Sequence, residues 1–254
     1  MVSSVKSASQ ETKEELENQI FELAEPLLFK LYNAYTKIPD QTDKPDAAIL
    51  LSNPPRRFGV KVSSVKIGIE ITSVDPSEYT AYTNDKKFGS NLVIEQIKRT
   101  FEKGIVDDNP TKKIDVPIPE NFIFDGVVGK AQKYESYRTK SEFDEIILLC
   151  FSNVICSRNK ILKGGLIAWT NYMLSKENYP FDKVIFVSPI GSDPVPLRIY
   201  DKKMKTFKAP APYKYSGATI TCITGQPLLV DRTYNLSEKF NGTPLIEPRV
   251  TLRK

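Results

Sequence analysis

The apolar positions in the first third of the chain change from helical to strand spacing. Over residues 11–35 apolar side chains recur every three or four positions, which predicts an amphipathic helix. Two short apolar runs follow at 47–52 and 65–72, and the second alternates strictly, with Glu70 on the face opposite its isoleucines. The connection between the runs is polar and contains Pro54 and Pro55. We therefore expect the two runs to pair as a hairpin.

The middle of the chain continues to alternate between helical and strand patterns. We predict helices over 91–103, 127–137 and 161–174, and strands over 122–124, 143–151 and 181–188. The strand that ends at Phe151 contains a continuous apolar run, which is typical of a strand covered on both faces. Segment 106–120 is rich in Pro, Asp and Lys and indicates an irregular connection. This order predicts an α/β fold with a mixed central β-sheet flanked by helices.

The pattern changes after residue 189 to short apolar runs interrupted by prolines and glycines. We predict strands over 195–200, 218–224 and 227–230. The chain therefore divides into an α/β core over 1–189 and a β-rich C-terminal extension over 190–254, which we expect to pack on the core.

The extension contains lysines interleaved with tyrosines, a pattern that can bind phosphates and stack on bases. An ordinary exposed hairpin has the same appearance, so both interpretations stay open. The residues predicted to contact nucleic acid are Lys202, Lys203, Lys205, Tyr213 and Lys214.

Composition narrows the possible chemistry. The chain of 254 residues has no histidine, which excludes Ser-His-Asp and Cys-His catalysis, histidine general bases and the commonest zinc ligand. A net charge of +5 is compatible with a polyanionic partner without establishing one. No GxGxxG or GxxxxGK[ST] loop is present, so dinucleotide and P-loop functions have no support.

Cysteine usage and hydropathy predict the compartment. The three cysteines, Cys150, Cys156 and Cys222, lack the paired spacing of a zinc site, and their odd number predicts reduced thiols in a cytoplasmic protein. No run approaches the roughly 18 apolar residues of a membrane span, so we expect no membrane association.

A carboxylate in the middle of a strand needs an explanation, because glutamate is depleted in strands and its burial without a partner is costly. One explanation for Glu70 is an exposed face of an antiparallel strand. The other is that Asp46 and Glu70 converge on a divalent cation, since hard cations bind carboxylate oxygens and offset their mutual repulsion.

Pro45-Asp46, followed by a strand that ends in Glu70-Ile71-Thr72, resembles the PD-(D/E)XK nuclease superfamily. The resemblance implies a restriction-endonuclease-like fold and a divalent-metal-dependent nuclease, an endonuclease of restriction, repair or defence type that hydrolyses phosphodiester bonds in DNA. Asp46 and Glu70 would then hold Mg²⁺ or Mn²⁺, with the carbonyl of Ile71 as a further ligand. Many nucleases of this superfamily act as dimers, so a homodimer is also possible.

Two further site residues follow from the resemblance. A glutamate from an N-terminal helix often joins the metal site, and Glu17 is the first candidate, with Glu22 second. The pattern places its lysine where this chain has Thr72. Some members of the superfamily place the lysine on a helix behind the active-site strands. Lys133 is the first candidate for that lysine and Lys130 the second, while a solvated lysine face on the same helix is the alternative.

Two other functions remain open at this stage. Loss of the motif lysine is also what decay of an active site would produce, so the chain could be a catalytically inactive nucleic-acid-binding or protein-interaction module on the same fold. In the third possibility the protein is an unrelated α/β protein, Glu70 is an exposed strand residue and the motif is a coincidence.

Overall fold

Eight strands and five α-helices are described, over residues 8–39, 45–60, 62–84, 101–102, 112–140, 143–191 and 194–224 of a computed structural model. The strands are Thr36–Lys37 (β1), Ala47–Leu51 (β2), Val65–Ser73 (β3), Lys112–Pro117 (β4), Glu145–Phe151 (β5), Lys183–Val187 (β6), Leu197–Asp201 (β7) and Thr219–Thr224 (β8). The helices are Ala8–Tyr32 (α1), Ser77–Asn84 (α2), Phe122–Val128 (α3), Ala131–Lys140 (α4) and Ile167–Lys176 (α5).

The chain forms two compact units. The first comprises Met1–Asp75 and Pro117–Ile220, and the second comprises Pro76–Val116 and Thr221–Lys254. The central six-stranded sheet, in the order β1-β2-β3-β5-β6-β7, belongs to the first unit. Every candidate site residue named above also lies in the first unit.

The sheet is antiparallel at its edges and parallel in its middle. β2 and β3 form the predicted antiparallel hairpin, β3, β5 and β6 run parallel, and β7 returns antiparallel to β6. All seven residues of β5 are buried, as expected for a strand in the middle of a sheet with helices on both sides. The mixed α/β architecture predicted from the sequence is confirmed.

The two faces of the sheet are covered by different helices. α1 packs its apolar side on alternate residues of the strands, such as Ile69 of β3 and Ile147 of β5. Glu70 points the opposite way, because successive strand side chains alternate between faces. On that side α3 packs against both β3 and α5, and the hydroxyl of Tyr179 donates to the carbonyl of Val127 at 2.6 Å.

Four elements differ from the sequence predictions. The single helix predicted over 127–137 is wrong, because α3 ends at Val128 and α4 begins at Ala131 after a turn. The strand predicted over 122–124 is wrong: Phe122 begins helix α3, because its apolar residues bury one side of a helix and a run of three cannot reveal its period. The segment 106–120, predicted to be irregular, contains β4, which pairs with β8. β7, predicted within the C-terminal extension, forms an edge of the central sheet.

The remaining predicted elements are placed as follows. The helix predicted over 91–103 and the strand predicted over 227–230 lie outside the described residues, apart from 101–102. Within the part of the chain that the structure describes, no helix is long and apolar enough to cross a membrane.

Candidate active site

Asp46 is fixed at the start of β2 by the backbone of the neighbouring strand. Ala47 pairs with Ile69 in the antiparallel register, so the residue before Ala47 lies beside the next residues of β3. The backbone N–H of Ile71 donates to Asp46 Oδ2 at 2.7 Å. The predicted proximity of Asp46 to the Glu70 region is therefore a consequence of the hairpin register.

Glu70 is buried and paired with a lysine. Only 2% of the residue is exposed, so the interpretation of Glu70 as an exposed strand residue is wrong. Lys130 Nζ donates to Glu70 Oε1 at 2.6 Å, which supplies the counter-charge that a buried carboxylate requires. The pair explains how a glutamate is accommodated in the middle of a central strand.

The lysine that reaches Glu70 is the second candidate, Lys130, and Lys133 is exposed to solvent. α3 ends at Val128, and Lys130 lies in the turn before α4, with its N–H on the carbonyl of Val127. This turn lies next to β3, whereas Lys133 is the third residue of α4 and is exposed. Thr72, which stands at the motif position, donates its hydroxyl to the carbonyl of Ser73 at 3.3 Å and supplies no charge.

Burial and neighbouring carboxylates raise the pKa of Asp46 to about 6. Desolvation is the largest cause, and the negative charges of Glu70 and Glu17 add to it. The N–H of Ile71 and the ammonium of Lys130 lower the pKa of Asp46, but not enough to cancel these effects. Asp46, Glu70, Glu17 and Lys130 are therefore close enough to interact electrostatically.

Glu17 approaches this group from helix α1. Its side chain is partly exposed and forms an ion pair with Lys13 at 3.2 Å, one turn earlier in the helix. The pKa of Lys13 is raised mainly by Glu17, and Asp46 and Glu70 contribute. Lys13 is thus a second lysine near the site that sequence reasoning missed, because a lysine at the start of an acidic helix looks like an ordinary surface residue.

The donor set suits a hard divalent cation only if water completes the coordination. Among the described residues, no three Asp, Glu, Cys or His side chains are grouped so as to hold a metal ion. Mg²⁺ usually keeps several waters and binds through one or two carboxylates. Asp46 and Glu70 fit that arrangement, and a cation between them would oppose both causes of the raised pKa of Asp46, which are its burial and then the charge of Glu70.

The pKa of Asp46 predicts how Asp46→Asn changes stability with pH. The folded-state pKa, about 6, lies above the ordinary value of 3.8, so the native state binds more protons than the unfolded state between these values. This contribution to stability is full below about pH 4 and is lost as the pH rises through 6. We expect Asp46→Asn to have a higher Tm than wild type at pH 7.5 and a similar Tm at pH 4, measured without divalent ions.

A matched control for this measurement is Asp144→Asn. Asp144 is exposed and also accepts a backbone N–H, from Lys66 at 2.8 Å, so it tests the loss of a comparable hydrogen bond outside the site. A Tm advantage of Asp46→Asn that grows as the pH falls would contradict the raised pKa of Asp46.

Three of the five predicted nucleic-acid contacts are lysines with partners in the protein. Lys202 donates to the carbonyl of Pro180 at 3.0 Å, and Lys205 donates to the side chain of Asn178. Lys203 is 64% exposed and lies 3.7 Å from a carboxylate oxygen of Glu145.

The other two predicted contacts differ in accessibility. Tyr213 is buried, and its ring packs against Gly165, so its face is covered by protein. Lys214 is exposed. The sequence identified this basic segment, but only the structure shows that Lys214 is exposed and Tyr213 is buried.

A second buried ion pair lies away from Asp46, at the start of β5. Lys183 Nζ donates to Glu145 Oε2 at 2.7 Å, and the hydroxyl of Tyr32 donates to the same oxygen at 2.8 Å. Sequence reasoning missed this pair. The available signal was a charged residue at the start of each of two neighbouring apolar strands.

Comparisons with protein-family models, with curated proteins and with solved structures find no significant match to this chain. The case for a function therefore rests on the residues described above.

Proposed function

We propose that this protein is a divalent-metal-dependent nuclease that hydrolyses phosphodiester bonds, with DNA as its substrate and a restriction-endonuclease-like fold. The observation that supports this most is the pairing of buried Glu70 with Lys130 beside Asp46, on adjacent antiparallel strands. Two carboxylates can hold a divalent cation, and a lysine beside them can stabilise the charge that develops on a phosphate during hydrolysis.

The order of the elements also supports the proposal. An N-terminal helix, an antiparallel hairpin with the two acidic residues, and a following helix and parallel strand occur in this order in the chain. The sequence resemblance to PD-(D/E)XK nucleases implies the same order of elements. Cys150 and Cys156 are not joined in a disulfide, which fits the reducing cytoplasm as the proposed location.

Each residue has a distinct role in the proposed mechanism. Asp46 and Glu70 would hold Mg²⁺ or Mn²⁺ beside the scissile phosphate, and the bound ion would act as a Lewis acid and lower the pKa of water. The N–H of Ile71 fixes the direction of the Asp46 carboxylate by donating to Oδ2. Glu17 adds negative charge from the side of α1, so it favours cation binding without needing to be a direct ligand.

Lys130 supplies the positive charge of the site. An ammonium has three N–H donors, and one of them binds Glu70 Oε1. Its side chain is 21% exposed, so the remaining donors can meet a phosphate oxygen or an attacking water from the solvent side. In this role Lys130 stabilises the charge that develops on the phosphate during hydrolysis.

The direct test is cleavage of linear, circular and single-stranded DNA and of RNA, in Mg²⁺, in Mn²⁺ and in excess EDTA. We expect cleavage that requires the metal and that is lost in Asp46→Asn, while Asp144→Asn cleaves like wild type. Metal binding is followed separately as the rise in Tm on addition of Mn²⁺, which should also be lost in Asp46→Asn.

Two outcomes would overturn the proposal. One is cleavage that survives both EDTA and Asp46→Asn, which would indicate a contaminating nuclease. The other is the absence of both cleavage and a metal-dependent change in Tm. In that case the alternative of a catalytically inactive binding module on this fold would account better for the Glu70–Lys130 pair, as a structural ion pair.

A further inference from the structure

A groove of about 610 Å³ lies between the start of α5 and the segment 206–210, within the first unit of the chain. One wall includes Leu162, Lys163 and Ile167, and the other includes Thr206, Lys208 and Pro210. The volume falls within the roughly 300–1,000 Å³ typical of sites for small molecules. The groove is therefore large enough for a nucleotide or two.

Hydrogen bonds hold segment 206–210 to α5 at both ends. The N–H of Thr206 donates to Ser175 Oγ at 3.0 Å, and the indole N–H of Trp169 donates to the carbonyl of Ala211 at 3.0 Å. Both partners, Ser175 and Trp169, belong to α5. The segment between these two hydrogen bonds is therefore attached to α5 at both ends, and the groove lies between the segment and the helix.

Glycines before α5 allow the following chain to pack closely. A Cβ atom on Gly164 would overlap the ring of Tyr215, so a larger residue there would require that ring to move. Gly165 has a φ of 132°, which L side chains rarely adopt, and its position borders the ring of Tyr213. These two tyrosines therefore pack directly against the backbone just before α5.

The groove is basic and apolar. Lys163 and Lys208 stand on opposite walls and are both exposed, and no carboxylate is among the described residues that line it. Phe207, between two lining residues in sequence, is 70% exposed. An exposed phenylalanine next to a lysine provides a stacking surface beside a phosphate-binding charge.

We propose that single-stranded nucleic acid binds along this groove and the adjoining segment, with Lys163 and Lys208 of the groove on phosphates and Phe207, exposed on the segment but outside the groove lining, stacked on a base. The inference rests on the proposed function, since it names single-stranded nucleic acid as the class of substrate. In a duplex the bases are paired and stacked, so Phe207 would have no free base face to meet. α5, which forms the groove, packs against α3, the helix that leads into Lys130.

The test is fluorescence anisotropy of labelled oligo-dT, oligo-U and a DNA duplex with the full-length protein in EDTA, where metal-dependent cleavage is suppressed. We expect the single strands to bind more tightly than the duplex. Lys163→Ala and Lys208→Ala should each weaken binding about five-fold at 0.1 M salt and reduce the salt slope by about 0.7. Phe207→Ala should weaken binding of the single strands about ten-fold.

Two control variants match these changes elsewhere in the protein. Met204→Ala removes another exposed apolar side chain, 63% exposed, which precedes segment 206–210 and is not adjacent in sequence to a lysine of the groove. Lys30→Ala removes an exposed lysine from α1, on the opposite face of the sheet. Both should bind like wild type.

Three results would overturn the inference: no binding of single strands, groove variants that bind like wild type, or competition by polyglutamate equal to that by oligo-dT. These results are distinguishable from failure of the proposed function. If the protein binds single strands through the groove but cleaves no substrate, the groove inference stands and the proposed nuclease function fails. If cleavage depends on metal but the groove variants bind and cleave like wild type, the nuclease function stands and the groove inference fails.

Discussion

Replacing Lys130 by methionine is expected to lower metal-dependent cleavage by about 100-fold or more, the loss typical of removing one preorganised stabiliser of transition-state charge. Methionine keeps most of the length of the side chain and removes the ammonium that lies 2.6 Å from Glu70. The measurement is the single-turnover rate on the substrate that wild type cleaves best, at saturating Mg²⁺.

Lys133→Met is the matched control for Lys130→Met. It removes the same charge from the same region of sequence, but Lys133 is exposed on α4. We expect its rate to stay within about two-fold of wild type, as for a surface substitution away from the chemistry. A strong loss in Lys133→Met with normal cleavage in Lys130→Met would identify Lys133 as the active lysine and contradict the assignment made from the structure.

Metal binding separates a catalytic role of Lys130 from a structural one. Lys130 and a divalent cation are both positively charged and both lie against Glu70 in the proposed mechanism, so removing the ammonium lowers their mutual repulsion. The rise in Tm on addition of Mn²⁺ should therefore be retained or enlarged in Lys130→Met. Loss of both cleavage and metal binding would mean that the substitution disrupts the site as a whole.

The largest loss of stability is expected for Lys183→Met, at about 3–5 kcal/mol of the free energy of unfolding. The side chains of Lys183 and Glu145 are 5% and 4% exposed, and their charged atoms are 2.7 Å apart. Removing the lysine leaves a buried carboxylate whose described hydrogen-bond partner is the hydroxyl of Tyr32. Urea unfolding at pH 7 measures the change.

Two comparisons make the Lys183 prediction specific. Lys203→Met removes a charge 3.7 Å from the same carboxylate, but Lys203 is 64% exposed, so we expect a change within about 0.5 kcal/mol. The double variant Lys183→Met with Glu145→Gln has no unpaired buried charge and should be more stable than Lys183→Met alone. A double variant that is less stable by the sum of both losses would show that the two residues act independently.

The Glu145–Lys183 pair and the Glu70–Lys130 pair are placed differently in the same sheet. Glu145 and Lys183 begin two parallel strands, whereas Glu70 is in the interior of β3. The first pair is almost fully enclosed, and Lys130 in the second pair is 21% exposed. Access to solvent is what distinguishes the pair proposed to act on a substrate from the one expected to contribute only to folding.

Periodicity determined most of the α/β unit. The long helix, the hairpin of β2 and β3, and the apolar runs of β5 and β6 were predictable because each repeats its spacing over enough residues to reveal which face is buried. The three residues 122–124 were too few, and they begin helix α3. β7 joined the central sheet because of pairing with β6, a long-range contact that leaves no local signal.

The sequence by itself determined which residues are candidates for the site: Pro45-Asp46 before one strand, Glu70 within the next, and lysines at 130 and 133. Only the tertiary structure decided between those lysines and showed that Glu70 is buried. The turn between α3 and α4 brings Lys130 to β3, and the position of that turn depends on how α3 packs on the sheet. Residue spacing defines directions along one helix or strand, whereas the distance between two elements is set by packing.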